Sequence, residues 1–371
     1  MSHTIVPIFA AMRSLAITGL CLTLTTAALG AGCKDEPPPG ETTPDAGPEA
    51  GEAGTDAGHE PKPEPQADGV WEQAFDTTEA PALFGVWGSG PHDVFIVGGT
   101  ETTASIYHYD GGDWQPMEAP PVAALIWSIG FGPDDVFAVG LRGAVVHYDG
   151  RSWSVLDSGT EDDLWGIFGF ERDDLWLVGG DPFGEEPTIL HYDGQQFERH
   201  SVDPEHNAHG ARALFKVFGI GERLFAVGSR GQAFEYRDGI WQNSPTGAAA
   251  NQDFVSLWGT AEDDLVLVGG RANARIATFD GSGWNTRAEP GLGGLNAVHM
   301  PRRGLAVIGG VEGFVGRYEV GEDRIVAEEQ DVTDLDVHAV WGDGQGKHYA
   351  VAGDFFPPYA GAALVRTEQA P

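Results

Sequence analysis

The stretch DDVFAVGLRGAVVHYDGRSW, residues 134–153, reads as consecutive β-strands joined by short turns. An apolar run ends at Gly140, a second β-prone run ends at Tyr148, and Trp153 opens a third segment. β-branched and aromatic residues favour strands, and Asp-Gly between two such runs is a strong hairpin signal. The stretch therefore predicts an antiparallel sheet.

Closely similar text recurs along the chain. The apolar run that ends in glycine occurs seven times, at intervals of 39 to 49 residues. The aligned glycines are Gly98, Gly140, Gly179, Gly228, Gly269, Gly309 and Gly353. A fixed period of this length is typical of a repeat architecture in which each copy is one structural unit. The seven copies fill residues 69–371, so we predict one domain there.

Each copy contains four β-like segments, and no part of the domain shows a helical period. The second segments are apolar on both faces, as strands packed between two neighbouring sheets must be. Four antiparallel strands repeated seven times predict an all-β, seven-bladed β-propeller. The aromatic residues that open the fourth segments are interpreted as packing between blades and not as catalytic groups: Trp114, Trp153, Phe197, Trp241 and Trp284.

Ring closure is expected to use the N-terminal part of the domain. The seventh copy has its first three segments at 337–344, 348–353 and 363–369, with no Trp-led fourth segment. Residues 67–75, ADGVWEQAF, have the Asp-Gly and Trp of a fourth segment with no first three ahead of them. We therefore expect this N-terminal strand to close the last blade, since an unpaired apolar edge promotes aggregation.

Residues 1–33 are interpreted as a secretory signal peptide, with one early charge at Arg13, an apolar stretch and small residues before Cys33. The residues Gly30, Ala31 and Gly32 directly before Cys33 resemble a bacterial lipobox, which implies lipidation of Cys33. Ordinary signal cleavage beside an incidental cysteine is the alternative. The domain itself contains no cysteine, so Cys33 has no disulfide partner there.

Residues 34–68 carry ten acidic residues, two lysines and many prolines, with no aromatic side chain. Such a segment cannot bury enough apolar surface to fold, and we expect a disordered acidic tether. Residues 69–371 hold 46 acidic and 18 basic residues. This excess of negative charge argues against nucleic acid as a partner.

The repeat also carries a resemblance to known families. VGG followed by HYDGGDW is similar to the kelch repeat, and AVGLRGAVVHYDGRSW resembles repeats of photosystem assembly-factor and BNR-type propellers. The resemblance covers 69–371 and implies architecture, not activity. The sialidase-type Asp-box is not matched, because Asp and Gly are adjacent here, so no catalytic residue is carried over.

A binding face is predicted from loop variation. The connections between second and third strands and the links between blades vary in length, and in a propeller they share one face, which we call the variable-loop face. An arginine recurs there two residues after the aligned glycine, at Arg142, Arg230 and Arg271, with Arg275 nearby. These arginines either form a positive spot for a carboxylate or pair with acids of neighbouring blades.

Two further groups complete the candidate face. His206 and His209 lie with His200 in a long link between blades, a density that invites a metal interpretation although the spacing matches no ligand motif. Phe355, Phe356 and Tyr359 lie in DFFPPYAG, a composition suited to contact surfaces. We expect no metal, no cofactor and no identifiable catalytic residue, since the known local templates are absent.

These observations predict a monomeric, exported lipoprotein of the bacterial cell envelope, anchored at the outer membrane by its N-terminal lipid. The propeller would be a binding or scaffold module that recognises a protein or glycan through the variable-loop face. The alternative is a secreted polysaccharide hydrolase or lyase with carboxylates at the channel mouth. Propeller active sites are assembled from scattered residues, so the sequence leaves the enzyme alternative open.

Overall fold

The computed structural model describes residues 70–367, which form seven four-stranded antiparallel sheets. Within that range there is no α-helix, only three short 3-10 turns at Leu141–Gly143, Ser229–Gly231 and Val320–Glu322. The predicted all-β, seven-bladed propeller is confirmed. The predicted signal peptide (1–33), its Cys33 and the acidic tether (34–68) lie outside the described residues. No helix within 70–367 has the length and apolar character needed to span a bilayer.

The strands are numbered along the chain, and the first of them, β1 (Glu72–Gln73), belongs to the last blade. Blade 1 contains β2 (Ala82–Gly90), β3 (Asp93–Gly99), β4 (Ala104–Tyr109) and β5 (Trp114–Met117). Blade 2 contains β6 (Leu125–Gly132), β7 (Asp135–Gly140), β8 (Val145–Tyr148) and β9 (Trp153–Val155). Blade 3 contains β10 (Leu164–Glu171), β11 (Asp174–Gly179), β12 (Thr188–Tyr192) and β13 (Phe197–His200).

The remaining blades repeat the same order. Blade 4 contains β14 (Leu214–Ile220), β15 (Arg223–Gly228), β16 (Ala233–Arg237) and β17 (Ile240–Asn243). Blade 5 contains β18 (Phe254–Ala261), β19 (Asp264–Gly270), β20 (Ala274–Phe279) and β21 (Trp284–Glu289). Blade 6 contains β22 (Leu295–Arg302), β23 (Leu305–Gly310), β24 (Val315–Glu319) and β25 (Arg324–Ala327). Blade 7 contains β26 (Val337–Gly342), β27 (Lys347–Gly353) and β28 (Gly361–Thr367), with β1 outermost.

The N-terminal strand closes the ring as the sequence predicted. Strand β1 pairs antiparallel with β28, with Glu72 opposite Val365 and Gln73 opposite Leu364. Just ahead of β1, the Trp71 N–H donates to the Glu329 carbonyl at 3.1 Å, and the Trp71 side chain is completely buried. The last blade is thus assembled from both ends of the domain.

The hydrophobic core lies between blades. The second strands are almost wholly buried, and every residue of β19 is buried. Between blades 4 and 5, for example, Phe225 of β15 meets Phe254 of β18 and Leu267 of β19 in one cluster. Burying a large apolar side chain stabilises the fold by about 1.5–3 kcal/mol. Because each cluster takes residues from two neighbouring sheets, a single blade cannot complete its own core.

The recurrent Asp-Gly marks the outer hairpins, which have four-residue loops in blades 1, 2, 3 and 5 and a two-residue loop, Asp238-Gly239, in blade 4. Between β8 and β9, the Asp149 carboxylate accepts the N–H groups of Arg151 at 3.0 Å and Ser152 at 2.9 Å, and Gly150 takes φ 84°. These donors stabilise the ionised carboxylate and lower the pKa of Asp149. The aspartate therefore stabilises the loop through local hydrogen bonds.

A repeated Asp–His pair stabilises blades 1, 2 and 3. The aspartate that opens the second strand lies against a histidine of the third strand, with Asp135 Oδ1 2.6 Å from His147 Nε2 in blade 2. The same imidazole stacks on Phe137, with ring centroids 4.2 Å apart. The histidine of the recurrent HYDG text is thus a packing residue of each sheet.

Candidate functional site

The axial channel contains a cavity lined by one equivalent residue from each blade. All seven innermost strands carry a register shift after their first residues, and the extra residue of this β-bulge turns toward the axis. These seven residues are Phe84, Ile126, Trp165, Phe215, Val255, Asn296 and His338. Each bulge therefore places one side chain of an innermost strand in the wall of the channel.

Phe355 covers this cavity from the variable-loop face. It lies in the connection between β27 and β28, and its ring stacks on Phe84 with centroids 4.2 Å apart. Its ring also meets His338 at 5.2 Å and Trp165 at 6.3 Å. The space left beneath it has a volume of about 40 Å³. That is enough for a few water molecules or a small organic group.

Among the described residues, the lining of the cavity includes one lysine, Lys216 of β14, and no arginine. The residue is only 3% exposed, and its Nζ lies over the indole ring of Trp127. Burial lowers the pKa of Lys216 well below its usual 10.5, because the charged form loses hydration. Among residues 70–367, the side chains that line the cavity include no carboxylate. The amine therefore has no anionic neighbour in the cavity wall.

Two more polar residues lie on the cavity wall. Asn296 is 2% exposed, and within the described chain neither its Oδ1 nor its Nδ2 has a hydrogen-bond partner. His338 differs, because its Nε2 donates to the Gly353 carbonyl at 2.8 Å, and burial lowers its pKa. Leaving a buried amide unpaired costs about 1–3 kcal/mol, so the orphaned amide of Asn296 is a notable feature of this wall.

The rim of the channel is built by a backbone motif in alternate blades. In blades 2, 4 and 6, a residue that directly precedes a glycine in the connection after the second strand takes a left-handed conformation, at φ 58° for Arg142, 64° for Arg230 and 56° for Glu312. The N–H of each donates to an aspartate that precedes the next blade. The three aspartates, at 2.9, 2.9 and 3.0 Å, are Asp163, Asp253 and Asp336. Since Glu312 serves equally well, the fold does not require arginine at this position.

The four predicted arginines make different contacts in the structure. Arg142 reaches Glu101 of blade 1 at 3.2 Å, and Arg271 reaches the buried Asp253 carboxylate at 2.7 Å. Arg230 presents its carbonyl to His209, while Arg275 lies in β20 with its Nε buried. Two of the four guanidinium groups thus pair with acids, and one of these acids, Glu101, lies in a neighbouring blade.

The histidine-containing link is tied down by local hydrogen bonds. His209 donates its N–H to Gln232 Oε1 at 3.0 Å, and its Nδ1 lies 2.9 Å from the Arg230 carbonyl. His206 Nε2 lies 3.8 Å from Glu205 Oε1. In the part of the chain that the structure describes, no group of three histidine, cysteine or acidic side chains converges for a metal ion.

Exposed aromatic side chains lie on the variable-loop face. Phe356 is 39% exposed beside the buried-facing Phe355, and Tyr359 is half-buried in the same loop. Phe183, in the connection between β11 and β12, is 62% exposed. Of the predicted aromatic trio, Phe355 therefore belongs to the channel, whereas Phe356 is available to a partner.

Sequence reasoning missed Lys216, Trp127 and Asn296. A signal for the lysine was present, because LFKVFG places a charge in a first strand where the equivalent residues of the other blades are uncharged. These residues are Gly85, Trp127, Gly166, Ser256, Ala297 and Ala339. Nothing in the sequence indicated that Asn296, eighty residues further on, faces the same cavity.

The fold and its axial cavity define the protein class as a β-propeller. No protein-family model and no curated protein matches the chain. Solved structures are similar to it. YCF48 bound to D1 peptide is 13% identical with a TM-score of 0.59, covering 82% of this chain and 98% of that one. Virginiamycin B lyase from Staphylococcus aureus is 14% identical with a TM-score of 0.63, covering 80% and 99%.

A third similar structure is the WD40 β-propeller domain of Doa1, at 7% identity and a TM-score of 0.62, covering 81% of this chain and 98% of that one. These three propellers have different names, and their sequence identities to this chain are low. The likeness therefore establishes the propeller fold and leaves function to the residues of this chain.

Proposed function

We propose that this propeller is a protein-binding module that recognises its partner through the variable-loop face. The observation that carries the proposal is the exposure of Phe183 and Phe356 on that face, in loops from blades 3 and 7. Large aromatic side chains are enriched in binding interfaces and act there as anchors. The strongly acidic composition favours a partner whose contact surface carries basic residues around apolar positions.

The structural comparison supports a peptide or protein ligand over a glycan. One of the similar propellers, YCF48, is solved with a D1 peptide. A rigid ring of sheets that presents variable loops is a suitable scaffold for such binding, because the loops can diverge without disturbing the core.

The hydrolase or lyase alternative has less support from the geometry. It requires carboxylates free to act at the channel mouth. Asp163, Asp253 and Asp336 at the rim each accept a backbone N–H from the preceding blade, which gives them a structural role. A similar fold does occur in virginiamycin B lyase, so the alternative keeps a precedent in architecture.

Removal of the two exposed aromatics is the test of the binding face. We expect Phe183→Ser with Phe356→Ser to weaken capture of a specific envelope protein by about tenfold or more, the effect of losing interface anchors. Residues 69–371 are immobilised, and proteins retained from an envelope extract are quantified by mass spectrometry.

Phe131→Ser is the matched control, because Phe131 is 38% exposed and lies near the end of β6, beside the turn to β7 on the opposite face. The control is expected to retain the partner. Equal loss in both variants, or no loss in the double variant, would place the binding surface elsewhere.

We further propose that lipidation of Cys33 holds the module at the cell envelope through the acidic tether. Cys33→Ser is then expected to move the protein from the membrane fraction to the soluble fraction, because the acyl chains supply the membrane affinity. Cys21→Ser is the matched control, as Cys21 is the only other cysteine and lies within the predicted signal peptide. Fractionation and immunoblotting measure both. A Cys33→Ser protein that stays with the membrane like its parent would refute the anchor.

A further inference from the structure

We propose that the axial cavity is a carbonyl-binding site in which the Nζ of Lys216 forms an imine with a small aldehyde or ketone. This inference is independent of the proposed protein-binding face. It rests on the position of Lys216, on the orphaned amide of Asn296 and on the chemistry of the cavity wall.

The amine of Lys216 has no carboxylate partner among the described residues. Within residues 70–367 its Nζ makes no ion pair with a carboxylate, and its contact is the face of the Trp127 indole. A protonated lysine buried among Trp127, Trp165 and Phe215 without an anion would be costly. Burial correspondingly lowers the pKa of Lys216, and an unprotonated amine has the lone pair that a nucleophile needs.

Asn296 supplies the complementary group for a carbonyl oxygen. Its Nδ2 carries two hydrogens and lies unpartnered on the same cavity wall, as does its Oδ1. An amide N–H donated to a carbonyl oxygen polarises the carbonyl and stabilises the hydroxyl that forms when an amine adds to it. Ser256 adds a hydroxyl to the same wall. A carbonyl ligand would thus satisfy groups that the protein alone leaves unsatisfied.

The size and charge of the site select the ligand class. A space of about 40 Å³ beneath Phe355 admits only a small molecule or the end of a larger one. The chain has a formal net charge of −35, which repels free anions from the channel at low ionic strength. An uncharged aldehyde or ketone meets no such barrier, so we favour it over a small carboxylate.

The proposed step conserves atoms and electrons without an oxidant or reductant. The nitrogen lone pair of Lys216 forms a bond to the carbonyl carbon, and the π electron pair moves to the oxygen. A proton passes from nitrogen to that oxygen to give a carbinolamine. Loss of the hydroxyl with a second proton releases one water molecule and leaves a carbon–nitrogen double bond.

Reductive trapping tests the proposal with internal controls. The chain has four lysines, namely Lys34, Lys62, Lys216 and Lys347, so the other three report ordinary reactivity. The full chain is treated with acetaldehyde and sodium cyanoborohydride at pH 7, and ethylation of each lysine is followed by peptide mass spectrometry. We expect Lys216 to be modified at least about tenfold faster than Lys347, because burial lowers the pKa of Lys216 and so raises the fraction of its amine that is unprotonated.

Two variants separate reactivity from access. Phe355→Ala removes the ring above the cavity and is expected to speed modification of Lys216 while leaving Lys347 unchanged. Lys216→Met replaces the amine with an apolar side chain, and the rapid modification at this position is expected to be lost. The proposal is overturned if Lys216 reacts no faster than Lys347 in both the parent and Phe355→Ala. It is also overturned if acetate raises the melting temperature of the parent but not of Lys216→Met, while acetaldehyde raises neither. The site would then bind anions.

Discussion

Replacing Trp71 with alanine is expected to lower the free energy of unfolding by about 3–5 kcal/mol, the range for deletion of a buried large aromatic side chain. The indole is completely buried among residues of blades 6 and 7, including Val307 and Leu364. Its Nε1 also donates to Glu328 Oε2 at 2.7 Å. The substitution therefore removes apolar contacts and leaves a buried carboxylate with one donor fewer.

Chemical denaturation of residues 67–371 measures this effect, with Trp114→Ala as control. Trp114 opens the fourth strand of blade 1 and is only half-buried, so its loss is expected to cost less. A chain that begins at residue 80 lacks β1 altogether and is expected to aggregate, because β28 then exposes an unpaired edge. If the Trp71→Ala protein and the shortened chain are both as stable as the parent, the N-terminal strand does not close the ring.

The second large effect is expected for Glu328→Ala, again about 3–5 kcal/mol, as found when one partner of a buried charge pair is removed. The Glu328 carboxylate is fully buried, and its Oε1 lies 3.0 Å from Arg317 Nε and 3.5 Å from Arg366. Its Oε2 accepts the Trp71 indole N–H. Alanine would leave two largely buried guanidinium groups without this counter-charge.

Glu319→Ala is the matched control for Glu328→Ala. Glu319 also pairs with an arginine, Arg324, but both side chains are partly exposed to solvent. Such surface pairs contribute about 0–1 kcal/mol, so the control is expected to change stability little. Combining Trp71→Ala with Glu328→Ala should cost less than the two single losses together, because the residues share one hydrogen bond. Similar stability of the Glu328→Ala and Glu319→Ala proteins would contradict a structural role for the buried carboxylate.

The sequence by itself determined the architecture of this protein. The period set by the aligned glycines, with an Asp-Gly hairpin such as that at Asp149, predicted seven four-stranded blades, because strand patterns and turn residues are local properties. Even ring closure was predictable from Trp71, since the seventh repeat lacked its Trp-led segment and the N-terminus supplied one.

The tertiary structure alone decided which side chains share the cavity. Lys216 and Asn296 lie eighty residues apart in different blades, and only the closed ring turns both toward one axis. It also decided that Arg271 pairs with Asp253 and that Phe355 covers the channel. Local propensity depends on neighbours in sequence, whereas burial, pairing and pKa depend on groups that the fold brings close from distant repeats.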